Sequence, residues 1–315
     1  MRVAGHAVLA RNPGGALTRQ AQAYLYAGTA ILLWSTVASA FKISLRWLDP
    51  LELLLFANAV SVVVLFCVLA VQRRLHRLLH YARADLARLA LLGVLNPFLY
   101  YIVLFQAYDL LPAQQAQPLN YTWAITLAVL SIPLLGQRIG MKGFAALIIS
   151  YVGVVIIATE GRPFALEFVS LTGVLLALGS TVIWALYWIY NTRDTGDPVA
   201  GLFIGFCASL PLILVTTALF SGLEVPPWQG LLGATYVGMF EMGLAFVFWL
   251  HALKRSETTA KVGNLIFLAP FLSLVFIHFV VGETIHPATF VGLVFIVAGN
   301  IVQQWPARRR ATAAP

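Results

Sequence analysis

WQGLLGATYVGMFEMGLAFVFWLH, residues 228–251, is an apolar run long enough to cross a bilayer as a helix, with a single carboxylate, Glu241, near its middle. Of the twelve acids in the chain, Glu241 is the one set deep in such a run. An ionised group at that depth costs roughly 2.5–3.5 kcal/mol on insertion scales, so it faces a polar or water-filled interior. The stretch therefore implies a membrane protein whose interior is kept polar.

The rest of the chain has the same character. Its 315 residues are 60% hydrophobic and 10% charged, with a mean hydropathy of +0.86, far from the range of soluble domains. Ten apolar runs can be read, at about 24–45, 51–71, 87–107, 113–135, 143–159, 170–190, 199–220, 229–251, 261–281 and 288–305. Pro50, Pro112, Pro198, Pro227 and Pro287 sit at or next to their starts, where a missing N–H does least harm.

The net charge of +8 would suit nucleic acid, but the basic residues lie in short blocks between the apolar runs and report topology instead. Most of them, including Arg19, the block from Arg73 to Arg88, Lys254, Arg255 and Arg308 to Arg310, fall on the side of the N-terminus. Arg46 and Arg162 fall on the other side, with Lys42 near the outer end of the first run. The positive-inside rule then predicts a multi-pass protein with both termini cytoplasmic, of a kind that suits a bacterial plasma membrane. Val37-Ala38-Ser39-Ala40 has the pattern of a signal-peptidase site, but cleavage there would remove the first helix of a duplicated set. Cys67 and Cys207 lie inside apolar runs and read as small hydrophobes, with no disulfide expected.

The duplication shows at an offset of 146. It pairs Leu119 with Leu265, Gly136-Gln137 with Gly282-Glu283, Phe144 with Phe290, Leu147 with Leu293 and Gly153 with Gly299, and Leu48-Asp49-Pro50 faces Gly196-Asp197-Pro198. Five helices per copy is an odd number, so the second copy enters the membrane from the opposite side. The expected architecture is all-α: ten transmembrane helices as two inverted five-helix repeats around a central cavity. Residues 1–23 form a cytoplasmic tail, 24–160 the first repeat, 161–306 the second and 307–315 a C-terminal tail.

His251-Ala252-Leu253, the small and polar join leading to Asn264, Phe267-Leu268-Ala269-Pro270, Val281-Gly282-Glu283 and the Gly-spaced last helix resemble the second half of the drug/metabolite transporter superfamily, EamA type. Pro118-Leu119-Asn120-Tyr121-Thr122-Trp123 is similar to its branch of aromatic amino acid exporters. The resemblance spans roughly residues 24–305 and departs from the pattern at Ala124, where proline is usual, and at Gln137, opposite Glu283. It implies export, and aromatic amino acids as cargo.

Candidate substrate-binding residues come from the polar and aromatic positions inside the runs. The sixth run carries Ser180, Trp184, Tyr187, Trp188 and Asn191 on one helical face. Trp34, Asn96, Tyr100, Tyr101, Asn120, Tyr121 and Trp123 add to it from the first, third and fourth runs, and Glu241 and Asn264 from the eighth and ninth. Aromatic faces stack on a flat side chain or hold a cation for about 0.5–2 kcal/mol per contact. Trp47, Trp188, Tyr190, Trp228, Trp249 and Trp305 read instead as interface anchors, and Lys42 as a side chain snorkelling to the outer surface. The asparagines are equally readable as interhelical hydrogen bonds, and Asn96-Pro97 as a kink that opens backbone groups. Three roles stay open for Glu241: a proton-coupling or substrate-ammonium site, a structural pin, and a plain stretch of cavity wall.

The function this implies is a secondary transporter, not an enzyme, exporting aromatic and other apolar amino acids or related small metabolites by alternating access. Its partners would be the small-molecule substrate, the lipid bilayer and, as an open question, protons, with no cofactor and no metal. The alternatives are an intramembrane enzyme acting on a lipid or prenyl substrate, an exporter of cationic drugs, or a passive channel. His76 and His80 have a metal-like spacing without a third ligand, the Asp194/Asp197 pair lacks a second acidic cluster, and no phosphate-binding Gly-rich loop is present.

Overall fold

The computed structural model describes residues 17–136, 141–162, 164, 168–191, 196–257 and 262–304, without the side chains of Lys142, Asn264 and Gln304. Its helical segments are α1 (Arg19–Ser44), α2 (Pro50–Val71), α3 (Arg83–Leu110), α4 (Ala113–Leu135), α5 (Met141–Ala158), α6 (Leu171–Asn191), α7 (Pro198–Phe220), α8 (Trp228–Arg255), α9 (Leu265–Val281) and α10 (Pro287–Gln304). Among the described residues seven are long and apolar enough to cross a membrane, and α5, α9 and α10 are shorter apolar helices. No strand occurs among the described residues. Leu25, Val63, Leu175, Val215, Leu232 and Val275 point outward, more than half exposed, as an apolar surface does when its solvent is lipid.

Local chemistry sets the helix starts. The Asp49 carboxylate accepts from the N–H groups of Leu51 and Glu52, while the Glu52 carboxylate accepts from the Asp49 N–H, so α2 begins at Pro50 with its first donors satisfied. Asp197 does the same for Val199 and Ala200 at the start of α7. Its other oxygen accepts from Arg77 at 2.6 Å and Arg74 at 3.2 Å, which follow α2. Burial alone would raise the Asp197 pKa, but the Ala200 and Val199 N–H groups and the two guanidiniums outweigh it and hold the carboxyl below its usual range. This stabilisation is present above the usual carboxylate range and fades as pH falls through the lowered pKa. We expect Asp197→Ala to cost about 1–2 kcal/mol at neutral pH. It should also flatten the acid limb of a thermal-unfolding series in detergent. Identical midpoints for parent and variant at neutral pH would remove this assignment.

Hydrogen bonds at the helix termini sort the ends into two layers. In one, Arg19 donates to the Lys254 carbonyl at 3.1 Å, and Arg74 and Arg77 meet Asp197. In the other, Lys42 donates to the carbonyls of Tyr108 (2.7 Å) and Leu111 (2.8 Å), and Thr217 to that of Leu51. There too Arg46 donates to the Val281 carbonyl, and Glu283, just past α9, accepts from the N–H groups of Ala113 (2.8 Å) and Gln114 (3.0 Å). The first layer, with Arg73, Arg74, Arg77, Arg83 and Arg88, is the basic end; the second, with Asp49, Glu52, Asp109, Glu160 and Glu283, is the acidic end. Lys42 is thus half-buried and tied to the end of α3, in place of the surface-directed side chain that its position suggested.

The packing follows a rule. Helix α5 packs on α10 and α2 on α7; α1 packs on α8 as α6 does on α3; α2 on α8 as α7 on α3; α1 on α9 as α6 on α4. Exchanging the first five helices for the last five returns the same set. The closest approaches obey it as well. A Cβ on Gly93 of α3 would run into the Gly205 backbone of α7, and one on Gly238 of α8 into the Ala57 backbone of α2. Polar links cross the same seams: the Asn58 amide donates to the Phe206 carbonyl at 3.2 Å and the Ser61 hydroxyl to that of Met242 at 2.9 Å.

Candidate functional site

Helices α3 and α8 each widen at mid-length, and the site grows from them. In α3, Pro97 lacks the N–H that an α-helix needs and crowds the turn before it, so Asn96 leaves helical geometry (φ −143°, ψ 115°) and the chain widens into a π segment over Val94–Leu99. In α8 no proline is present, yet Val237–Leu244 widens in the same manner around Glu241. Such π turns displace one residue from the ladder and gather at functional positions.

Between the halves lies a cavity of about 640 Å³, well inside the range of small-molecule sites. Its wall includes Trp34 and Phe41 of α1, Tyr100, Leu104 and Tyr108 of α3, a stripe from Gln117 to Leu135 on α4, and Trp184 and Trp188 of α6. From α8 come Glu241, Phe246 and Trp249. The rings form a continuous course: Tyr100 stacks on Trp184 at 4.6 Å, Trp184 meets Phe246 at 6.0 Å, Phe246 meets Trp34 edge-on at 5.8 Å, and Trp34 meets Trp249 at 5.5 Å.

Glu241 is the one charged side chain in the described wall. Its Oε1 accepts from the Tyr101 hydroxyl at 3.1 Å, while Oε2 is buried with no partner among the described residues. The remaining polarity is neutral. Asn120 donates to Ser180 at 3.0 Å and accepts from Tyr100, and the Tyr108 hydroxyl bonds Gln117. A pocket of this make-up offers flat apolar faces, amides and one carboxylate, so it suits a small molecule with an aromatic or apolar body and a positively charged group.

The wall reaches Leu135, Ile189, Leu253, Gly263 and Gln303, all in the layer of the basic end. At the acidic end it stops at Phe41, Tyr108 and Gln117, and beyond them the molecule is bolted shut. Lys42 fastens α1 to the end of α3, and Glu283 fastens the end of α9 to the start of α4. Gln114 donates to the Thr284 carbonyl and accepts from the His286 N–H, and Gln115 donates to Glu160.

Of the residues singled out in the sequence, Trp34, Tyr100, Asn120, Tyr121, Trp123, Trp184 and Glu241 all border this cavity. Three do not. Asn96 is 1% exposed behind the wall, Tyr101 is fully buried and reaches the site through Glu241 and the Tyr100 ring, and Tyr187 packs against Leu89 and Leu92 while stacking on Trp184. The side chain of Asn264 lies outside the described residues, as do Gln137, Asp194 and Trp305. Trp188 and Trp249, read as interface anchors, instead border the cavity, because the wall continues down α6 and α8 to the basic end. Tyr108, Gln117, Phe246 and Gln303 were missed. Two of them had a signal, since Tyr108 continues the Tyr100–Leu104 stripe by one turn and Gln117 opens the α4 stripe that runs on through Asn120 and Tyr121. His76 and His80 lie in a short 3-10 turn, Leu75–His80, away from this site. No group of three potential metal ligands occurs among the described residues.

With this geometry in hand, the chain can be set beside known proteins. The sequence profile of the EamA-like transporter family matches it twice, over residues 21–159 and 171–302. It is similar to an uncharacterized transporter of Clostridium kluyveri, 28% identical over 81% of this chain and 83% of that protein. It is also similar to the aromatic amino acid exporter YddG of Ancylobacter novellus, 28% identical over 69% of this chain and 76% of that protein. A solved crystal structure superposes with a TM-score of 0.65 at 25% identity, covering 91% of this chain and 98% of the other.

Proposed function

We propose, from the fact that this chain belongs to the EamA-like transporter family, that it is a secondary carrier exporting aromatic and other apolar amino acids, or closely related metabolites, across a bacterial plasma membrane by alternating access. The observation that carries this reading is the buried carboxylate with one free oxygen, set in an aromatic wall whose cavity runs to one end of the bundle and is bolted at the other. In this account the cargo ammonium meets Glu241, its side chain lies among Trp184, Tyr100 and Phe246, and its carboxylate takes the amides of Gln117 and Asn120.

All ten helices span the membrane in this account, with the basic end and both termini in the cytoplasm. Residues 24–160 and 161–306 are then the two inverted repeats. The packing set that survives exchange of the halves supports this, and so does the antiparallel run of each counterpart pair: α2 starts at the acidic end beside Leu51, where α7 finishes at Thr217. The wall's lack of Lys, Arg and His among the described residues favours a second cargo class, organic cations with aromatic bodies. The intramembrane-enzyme alternative, set at Glu241 or at the Asp194/Asp197 pair, loses Asp197, which is occupied by its helix cap and two arginines.

The reading is tested with purified protein in liposomes loaded with unlabelled tryptophan. Labelled tryptophan outside should accumulate transiently by counterflow and saturate, and a pH gradient should change the rate if protons are coupled. Flux that rises linearly with concentration and ignores the internal load would mean a channel, and no flux of amino acid or aromatic cation would remove the carrier.

A further inference from the structure

Helices α3 and α8 each contain 28 residues, and a constant offset of 145 carries Arg83–Leu110 onto Trp228–Arg255. The same offset carries Gly93 onto Gly238 and Asn96 onto Glu241. Both glycines make the close backbone approach that holds their helix to its neighbour, Gly93 on α7 and Gly238 on α2. Both polar residues sit three positions later, inside the π-widened segment of their helix. The two side chains are therefore counterparts in depth and packing, each within a widened turn, and they differ in chemistry: one is an amide, the other an acid.

The present conformation treats them unequally. Glu241 is in the cavity wall, whereas Asn96 is sealed behind it with both Nδ2 and Oδ1 buried and lacking a hydrogen-bond partner among the described residues. An amide shut away with neither end satisfied is costly to the fold. A side chain kept there at such cost calls for a second arrangement in which it is satisfied.

Resting on the inverted-repeat reading above, we infer that Asn96 and Glu241 alternate at the cavity wall. When the halves exchange conformations, the cavity closes at the basic end and opens at the acidic end, Glu241 retreats into the packing, and Asn96 becomes the polar group facing the cargo. Cargo arriving from the basic end meets a carboxylate, and cargo leaving at the acidic end faces a neutral amide. The ammonium is held on loading and released on opening, so the two ends of the cycle differ in affinity for a positively charged group without a change in the aromatic wall, while the net direction follows the cargo gradient. Asn96 is thus a specificity-determining residue of the outward-open cavity.

Single-cysteine variants test this in a Cys67→Ser/Cys207→Ser background that retains counterflow, with an impermeant maleimide applied from either side and Asp49→Cys reporting which side is the acidic end. Asn96→Cys should react from the acidic end, faster when cargo drives turnover, and Glu241→Cys from the basic end. An Asn96→Cys that transports but never reacts from the acidic end, or reacts only from the basic end, overturns the inference and leaves the carrier intact. As an independent measure, Asn96→Asp should lower the KM for tryptamine at the acidic end at least tenfold and leave the KM at the basic end unchanged. An unaltered KM at the acidic end also overturns it. Absence of saturable flux in the parent protein would take away the carrier reading on which the inference stands.

Discussion

Glu241→Gln is expected to raise the KM for cargo entering from the basic end by about 10- to 150-fold, the range covered by one hydrogen bond to a charged group, about 1.5–3 kcal/mol. The substitution keeps the shape of the side chain and an oxygen able to accept from Tyr101 at the present 3.1 Å, so the folded state should keep its thermal midpoint. What it removes is the one charge in the described wall, and with it the free oxygen available to an ammonium. If a proton is the coupling ion, the same variant should also lose the response of flux to a pH gradient. Counterflow with an unchanged KM would assign Glu241 to a structural pin between α8 and Tyr101 instead.

Trp184→Leu is expected to weaken cargo binding by about 2- to 30-fold, from the loss of an aromatic contact worth about 0.5–2 kcal/mol. Trp184 is the hub of the aromatic course. Besides Tyr100 and Phe246 it meets Tyr187 at 5.6 Å and Trp188 at 5.9 Å, so its loss loosens α3, α6 and α8 together. Because removing a large ring also leaves a void, Trp184→Phe serves as its partner variant. It should keep most of the affinity, whereas Trp184→Leu should not, at comparable midpoints of unfolding. Equal affinities for the two, measured by saturation of counterflow, would mean that the ring packs the bundle without touching cargo.

Much of this molecule can be read in its sequence, for a simple physical reason. A helix in lipid must satisfy its backbone within itself and present apolar side chains, so runs such as Pro50–Val71 and Pro198–Phe220 announce themselves, and the prolines and aspartates that start them do so as well. The depth of Glu241 in its run was legible on the same ground, because few positions tolerate an acid there. The short helices are harder. Pattern alone reads α5, α9 and α10 as spans like the others, and among the described residues, which resume at Met141 and stop at Gln304, they are shorter than the other seven.

Facing was the weaker part of the reading. Trp249 and Trp188 sit near helix ends, where tryptophan ordinarily marks the lipid interface, and only the course of the cavity down α6 and α8 turns them inward. Asn96 lies in the break of α3 and Tyr101 just past it, and the π segment puts one behind the wall and the other onto Glu241, a displacement that periodicity at 3.6 residues does not predict. Lys42 was misread because its partners, the carbonyls of Tyr108 and Leu111, are backbone groups left over at a helix end and carry no sequence signature.

In the proposed cycle a cavity shared by two inverted halves opens at one end as it closes at the other. The cycle is tested most directly by electron-spin distance measurements on two spin-label pairs in lipid, one at Leu135 and Leu253 bordering the basic end, the other at Asp109 and Val280 across the bolted acidic end. Addition of cargo should populate a second state in which the basic-end distance shortens while the acidic-end distance lengthens. Two distances that stay fixed, or that lengthen together, would contradict the account.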